Sequence, residues 1–279
     1  MTSFQKTIKY IAIGLGVFLA ISIILALASI GEVIISFATG DKYTTDNRDL
    51  INFEEKYSDI KNIEIKDIIG ELHIKVGSDF KVEGHNVTEG FKAKVSKNGS
   101  LEIRENGSGR IFNWFSNRSS TSKIVLYLPE NFKAGKVLIK GGVGKITIDY
   151  LYAEELEIAV GVGNVYGNKI YAEEVDIDGG VGDITLRDVI LYDMDVDTAA
   201  GDLYIEGDIF GDNKINIGVG KVRIDLNGDQ MNYKLDIDSG LGKVKVNGEE
   251  ASGEIYGSHD AEHEMKINGG IGEIEVKFK

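Results

Sequence analysis

The chain has 279 residues, 45 of them acidic and 31 basic for a net charge of −14, with 35 glycines, one proline and no cysteine. The acidic balance excludes nucleic acid as a partner and flat adsorption onto anionic lipid. Without cysteine there can be no disulfide, no thiolate zinc site and no anchor on a lipidated cysteine.

Residues 1–9 form a short N-terminus carrying Lys6 and Lys9, and residues 10–31 are apolar, with no charge between Lys9 and Glu32. At about 1.5 Å per residue, a helix of about 20 residues crosses the roughly 30 Å of a hydrocarbon core. Residues 10–31 are therefore predicted as one transmembrane α-helix in the lipid bilayer. Lys6 and Lys9 bias the N-terminus to the cytoplasm and the remainder to the extracytoplasmic side of a cell membrane. A secretory signal cleaved near Ala28 is the alternative, because Ala26, Leu27 and Ala28 have a small-x-small form. The apolar run continuing through Val33, Ile34 and Ile35 favours the uncleaved anchor. Residues 32–52 turn small and polar after Ile35 and read as a linker.

Residues 53–130 alternate with period 2 but without a fixed beat. Ile63 and Ile65, Leu72 and Ile74, Phe80 and Val82, and Leu101 and Ile103 mark short strands, with a hairpin signal at Asn98 and Gly99. This region is expected to form irregular first β coils and an N-terminal cap. Within it, residues 106–122 form a loop that gathers Phe112, Trp114 and Phe115 beside Arg110 and Arg118, and Trp114 is the chain's single tryptophan. Aromatic and arginine side chains together suit contact with an envelope glycan or a membrane protein partner. The other reading is a lid packed over the first coils. A strand then runs to Pro129, the only proline.

Residues 131–279 repeat. Gly144, Gly163, Gly182, Gly201 and Gly220 stand 19 residues apart, and Gly242 and Gly272 follow after 22 and 30 more. Each unit holds two short strands, the first at positions such as Ile184 and Leu186, the second at Val175 and Ile177 or Met194 and Val196. Their apolar residues share one face. A coil of a parallel β-solenoid stacks position n on position n+19, which places Ile on Ile and Gly on Gly. A hairpin meander needs no such identity, and the connector Tyr-Ala-Glu-Glu, at 152–155 and again at 171–174, lacks hairpin turn residues. The fold is thus predicted as an all-β solenoid of about 19 residues per coil. The stretched spacing after Gly220 is expected to come from loops inserted on one side. Glu273–Lys279 is expected to close the array, with Lys277 and Lys279 guarding its edge.

Ser122–Glu130, the Gly-Gly-Val-Gly phrase at 141–144 and Ala-Glu-Glu-Leu-Glu-Ile at 153–158 resemble the bacterial putative-adhesin family of β-strand-repeat proteins. The single apolar span and the aromatic loop are similar to its membrane-anchored members, and the likeness covers about residues 50–279. The resemblance implies a right-handed parallel β-solenoid at the cell envelope and no catalytic residues or cofactor.

Chemistry-bearing positions are few. His259 and His263 stand four apart, which would align them as zinc ligands on a helix, although Gly253, Gly257 and Ser258 around them favour a loop. Gly179–Asp183 resembles a calcium nonapeptide, but equivalent places hold Lys145, Lys221 and Lys243, which cannot ligate calcium. The repeat glycines have a structural reading, as tight corners with positive φ. Glu154, Glu155, Glu173 and Glu174 should stack along one edge as a solvated acidic ladder. The expected function is a membrane-anchored, non-enzymatic envelope module for binding, adhesion or envelope sensing. A glycan-active β-helix enzyme and a purely structural surface spacer are the alternatives.

Overall fold

A computed structural model of the chain describes residues 50–105, 121–251 and 255–279. The expected N-terminus (1–9), transmembrane segment (10–31), most of the linker (32–52) and the aromatic loop from 106 to 120 lie outside the described residues. Among those described, the chain is all-β: one 20-stranded sheet and a single 3-10 turn, Gln230–Asn232. No helix among them is long and apolar enough to cross a membrane. Strand structure begins with Leu50–Tyr57, so the last residues of the expected linker already belong to the sheet.

The 19-residue beat is the pairing register. Ile146, Val165, Ile184, Leu203 and Val222 lie side by side in parallel ladders. Leu156, Val175 and Met194 do the same, as do Ile158, Ile177, Val196 and Ile215. All of these are buried, as period-2 alternation requires when one face is covered. Each such side chain contributes about 1.5–3 kcal/mol by leaving water.

The expected connector Tyr-Ala-Glu-Glu is itself strand. Leu151 pairs with Ile170 and Ala153 with Ala172, and all four point inward. Each repeat therefore carries three short inward-facing stretches rather than two. Alanine hid the third, because its small side chain weakens the apolar signal without breaking the alternation.

The spatial order of the rungs departs from the chain order at both ends. Ser100–Arg104 and Lys123–Pro129 pair in parallel outside Asn62–Gly77, although they come later in the chain. Antiparallel strands cover that outer rung: Lys92–Val95, through the hairpin expected at Asn98 and Gly99, and Phe80–Thr88 with Leu50–Tyr57 beyond it. At the other end, His263–Ile271 lies between Asp212–Val219 and Tyr233–Leu241, and Ile274–Phe278 between Val222–Leu226 and Val244–Val246. The last strand thus does not close the array, and Lys277 and Lys279 guard no edge. The chain first lays down 233–246 one rung too far out, then returns through 247–262 to fill the gap. The short antiparallel strands Ile255–Gly257 and Glu249–Glu250 cover the outermost rung instead.

Candidate functional site

Each rung presents a glycine corner with a strand surface on either side. At the corner, Gly144, Gly163, Gly182, Gly201, Gly220 and Gly272 have φ between +136° and +149°, a region L side chains rarely adopt. A Cβ on Gly182 would lie 2.0 Å from the carbonyl oxygen of Gly163, and one on Gly163 1.7 Å from that of Gly144. Gly242 meets Gly272 in the same way, at 1.6 Å. The repeat glycines thus let the backbones of successive rungs close on one another.

The residue before each corner glycine forms a column of its own. Ile69, Val143, Val162 and Val181 stack in register, followed by Ala200, Val219, Ile271 and Leu241. The corner turns these side chains outward: Val160 is 6% exposed, but Val162, of the same alternation parity, is 45% exposed. Val181, Val219, Ile271 and Leu241 are between 41% and 64% exposed. Gly161, Gly180 and Gly218 precede their valines, so the column rises from a nearly bare backbone. Sequence reasoning missed this surface because strict alternation assigns Val160 and Val162 to the same face. The sequence signal that marks it is the repeat glycine directly after each apolar residue of the column.

On one flank of the corner, side chains serve the backbone of the next rung. Asn164 Oδ1 accepts from the Asp183 N–H at 2.9 Å, Asp183 Oδ1 from the Asp202 N–H at 2.9 Å, and Asp202 Oδ1 from the Lys221 N–H at 2.8 Å. The aspartate of the calcium-like phrase is therefore a backbone cap. Further along this surface, Arg223 donates to both oxygens of the buried Asp225, at 3.1 and 2.9 Å, and the Tyr204 hydroxyl lies 3.1 Å from Asp225 and 2.9 Å from Glu206. Burial alone would raise the Asp225 pKa, but the hydrogen bonds from Arg223 and Tyr204 outweigh it and hold it below the usual value. Burial, with the carboxylates of Glu206 and Asp225, pushes the Tyr204 hydroxyl up to about 12.

The opposite flank is acidic. Glu157, Asp176 and Asp195 are in register, with Asp178 and Asp197 beside them. Asp176 has its pKa raised, first by lost hydration and then by Asp178, Glu157, Asp195 and Asp197. Lys140 on Glu157 at 2.9 Å and Lys214 near Asp195 at 3.4 Å close the patch at its two ends. Of the expected acidic ladder, Glu155 and Glu174 are in register, and Lys136 bridges Glu155 and Glu157.

Tyr152 stacks on Tyr171 with centroids 4.3 Å apart, and Tyr192, Phe210, His263, Tyr233 and Phe278 continue the aromatic column. Of these rings only Tyr152 and Tyr171 stack face to face; the others pack tilted, and Lys133 Nζ lies 4.2 Å from the Tyr152 ring centroid. His263 sits inside this column, its Nδ1 accepting from the Gly211 N–H at 3.2 Å, while His259 is exposed in a turn. The two histidines thus lie on a strand and a turn rather than on one helical face. Among the described residues no three His, Asp or Glu side chains gather as metal ligands. Phe112, Trp114, Phe115, Arg110 and Arg118 lie outside the described residues. The base of their loop is described: Glu105 is fully buried and accepts from the Ser122 hydroxyl at 2.9 Å.

A family model described as Toastrack DUF4097 matches residues 60–266. Among solved structures, the chain is similar to a putative cell adhesion protein from Clostridium sporogenes at 17% identity, over 82% of this chain and 100% of that one, with a TM-score of 0.40. It is also similar to a putative adhesin from Bacteroides fragilis at 12% identity, over 82% and 98%, with a TM-score of 0.36. A putative adhesin from Parabacteroides distasonis gives 12% identity over the same shares and a TM-score of 0.33. No curated protein matches the chain.

Proposed function

The chain belongs to the Toastrack DUF4097 family, and from that premise we propose that it is a membrane-anchored, non-enzymatic module of the bacterial cell envelope that works by binding. In this reading the rungs are the coils of a right-handed parallel β-solenoid, residues 10–31 hold it to the bilayer, and Leu50–Lys279 lies on the extracytoplasmic side. The observation that carries binding is the exposed corner column. A continuous apolar strip on an otherwise charged surface loses free energy to water at every rung and marks an interaction surface. A mere spacer has no use for Val162, Val181 and Val219, since polar residues at those exposed places would leave the core intact.

The test is retention of the full-length chain on isolated envelope material. Val162→Lys with Val181→Lys should weaken retention at least tenfold while the melting temperature stays within a few degrees. Unchanged retention, with no self-association through the corner either, overturns the corner as the binding surface. The aromatic loop is a second contact in this reading, supported by Phe112, Trp114 and Phe115 in an acidic chain. Trp114→Ala should then weaken retention without loss of stability, and a large loss of stability alone would mark Trp114 as packing. Protease added to intact cells should remove the chain beyond about residue 40 if the solenoid is extracytoplasmic. Full protection until lysis overturns that placement.

A further inference from the structure

We propose that the partner of the corner column is a second copy of this chain, laid antiparallel with Val162 of each copy facing Val181 of the other. The inference rests on the corner being a binding surface, as proposed above. Its first ground is pitch. Parallel ladders repeat every roughly 4.8 Å, so only another ladder of the same pitch can set side chains between side chains at every rung. The bare Gly161 and Gly180 beside the valines let the two backbones approach closely.

The second ground is charge. The corner is flanked by two columns of side chains, one three residues before the apolar residue and one two residues after it. The Val143 rung carries Lys140 and Lys145, the Val162 rung Ala159 and Asn164, the Val181 rung Asp178 and Asp183, and the Ala200 rung Asp197 and Asp202. Two closed two-fold arrangements of facing strips exist. With the axis along the strip, each rung meets itself, and Lys145 faces Lys140, Asp183 faces Asp178, and Asp202 faces Asp197. Like charges then repel at these three central rungs, and only the end rungs, Lys66 with Glu71 and Asp238 with Lys243, would meet as opposite charges. With the axis across the strip, between Val162 and Val181, Lys145 faces Asp202 of the second copy and Lys140 faces its Asp197. One rung farther out, Glu71 faces its Lys221. The antiparallel register thus turns an unbalanced row of charges into opposed pairs.

Area sets the strength. Six overlapping rungs cover about 29 Å by about 15–20 Å, so the pair buries on the order of 1,000 Å² in total, at the lower bound of specific interfaces. The dimer is therefore weak for free molecules and is reinforced where copies are held at a surface.

The native chain has no cysteine, so engineered ones report without background. Full-length Val162→Cys and Val181→Cys chains, mixed in detergent or in vesicles and mildly oxidised, should give a disulfide-linked dimer. Val162→Cys mixed with Leu241→Cys should give at least tenfold less. Lys145→Glu should suppress the cross-link, and adding Asp202→Lys in the same chain should restore it. No cross-link, while Val162→Lys with Val181→Lys still abolishes envelope retention, overturns the second copy but leaves the binding surface standing. A cross-link equally strong at Leu241, or strongest between two Val181→Cys chains, overturns the antiparallel register.

Discussion

From Gly144 to Gly220 each rung rests on the one that precedes it in the chain, whereas the Gly272 rung lies between those of Gly220 and Gly242. The unit is the same in both regions: Ile267 pairs with Ile215 and Ile237 as Ile177 pairs with Ile158 and Val196. What differs is the length of chain between neighbours, 19 residues in the middle against 52 and 30 around the inserted rung. Lengthening a closed loop from 19 to 52 residues costs only about 0.9 kcal/mol, less than burying one isoleucine. Interleaving is thus nearly neutral for equilibrium stability. It matters for cooperativity, because among the described residues the outermost rung has no parallel neighbour except the inserted one.

The largest expected effect follows directly. Ending the chain at Glu262 removes the inserted rung and uncovers Ile215, Ile217, Val222 and Ile224 on one side and Leu235 and Ile237 on the other. Amide exchange should show loss of protection throughout 233–246, with residues 134–200 still protected. Persistent protection of 233–246 would mean that the outer rung can close on the Gly220 rung without the insert.

Two isoleucines sharpen the same comparison at smaller scale. Ile177 and Ile267 are both fully buried, and either change to Ala should cost about 2–5 kcal/mol through lost transfer energy and a residual cavity. Ile177→Ala should lower the main unfolding transition, while Ile267→Ala should chiefly raise local opening of 233–279. Thr185, facing outward between Ile184 and Leu186, should tolerate Ala within about 0.5 kcal/mol. A single shared transition in both isoleucine variants would show that the two regions unfold as one unit.

The same contrast decides what was legible in the sequence. Where consecutive rungs stack, Gly144 to Gly220 mark both the period and the pairing register, and the buried faces at Ile177, Ile184 and Val196 follow from alternation. Where the chain skips a rung, the spacings of 22 and 30 are visible, but nothing local says that 263–279 comes to lie inside 233–246. Pairing order is a property of distant segments, not of either one. The corner column was hidden for a different reason: Val162 turns outward at the corner beside Gly163, a break in alternation that period-2 counting ignores. Capping by Asp183 and Asp202 was hidden too, since a carboxylate serving a backbone N–H looks the same in sequence as a solvated one.

Asp225 marks the seam between the two regions, on the last consecutive rung, with Lys279 of the inserted rung 3.8 Å away. Asp225→Asn forfeits charge-assisted bonds from Arg223 and Tyr204 and should cost about 1.5–3 kcal/mol at neutral pH. The folded-state pKa of Asp225 is depressed, so its contribution is present above the ordinary carboxylate range and is lost as pH falls through the folded value. Tyr204 works at the other extreme. With its folded pKa near 12, the unfolded chain gives up the tyrosine proton first, so stability declines as pH rises from about 10 toward 12. Thermal unfolding of wild type and Asp225→Asn should therefore converge at low pH, and a gap of constant size would assign the loss to packing instead.

The smallest effect has the opposite sign and lies wholly in the middle rungs. Asp176 is surrounded by Asp178, Glu157, Asp195 and Asp197, and its pKa is raised by lost hydration first and by those neighbours after it. An acid whose folded pKa exceeds its unfolded value opposes folding when ionised. The opposition is complete above the folded pKa and is relieved as pH falls through it. Asp176→Asn removes that opposition at neutral pH and keeps the strand's shape, so the melting temperature should rise slightly. The side chain is exposed, so salt screens much of the repulsion and the gain should shrink as ionic strength increases. It should also vanish in acid, where the wild-type carboxyl is already neutral. A fall in melting temperature at neutral pH would show that Asp176 is held by a favourable contact stronger than its four like-charged neighbours, and the acidic flank would then be a stabilising surface rather than a strained one.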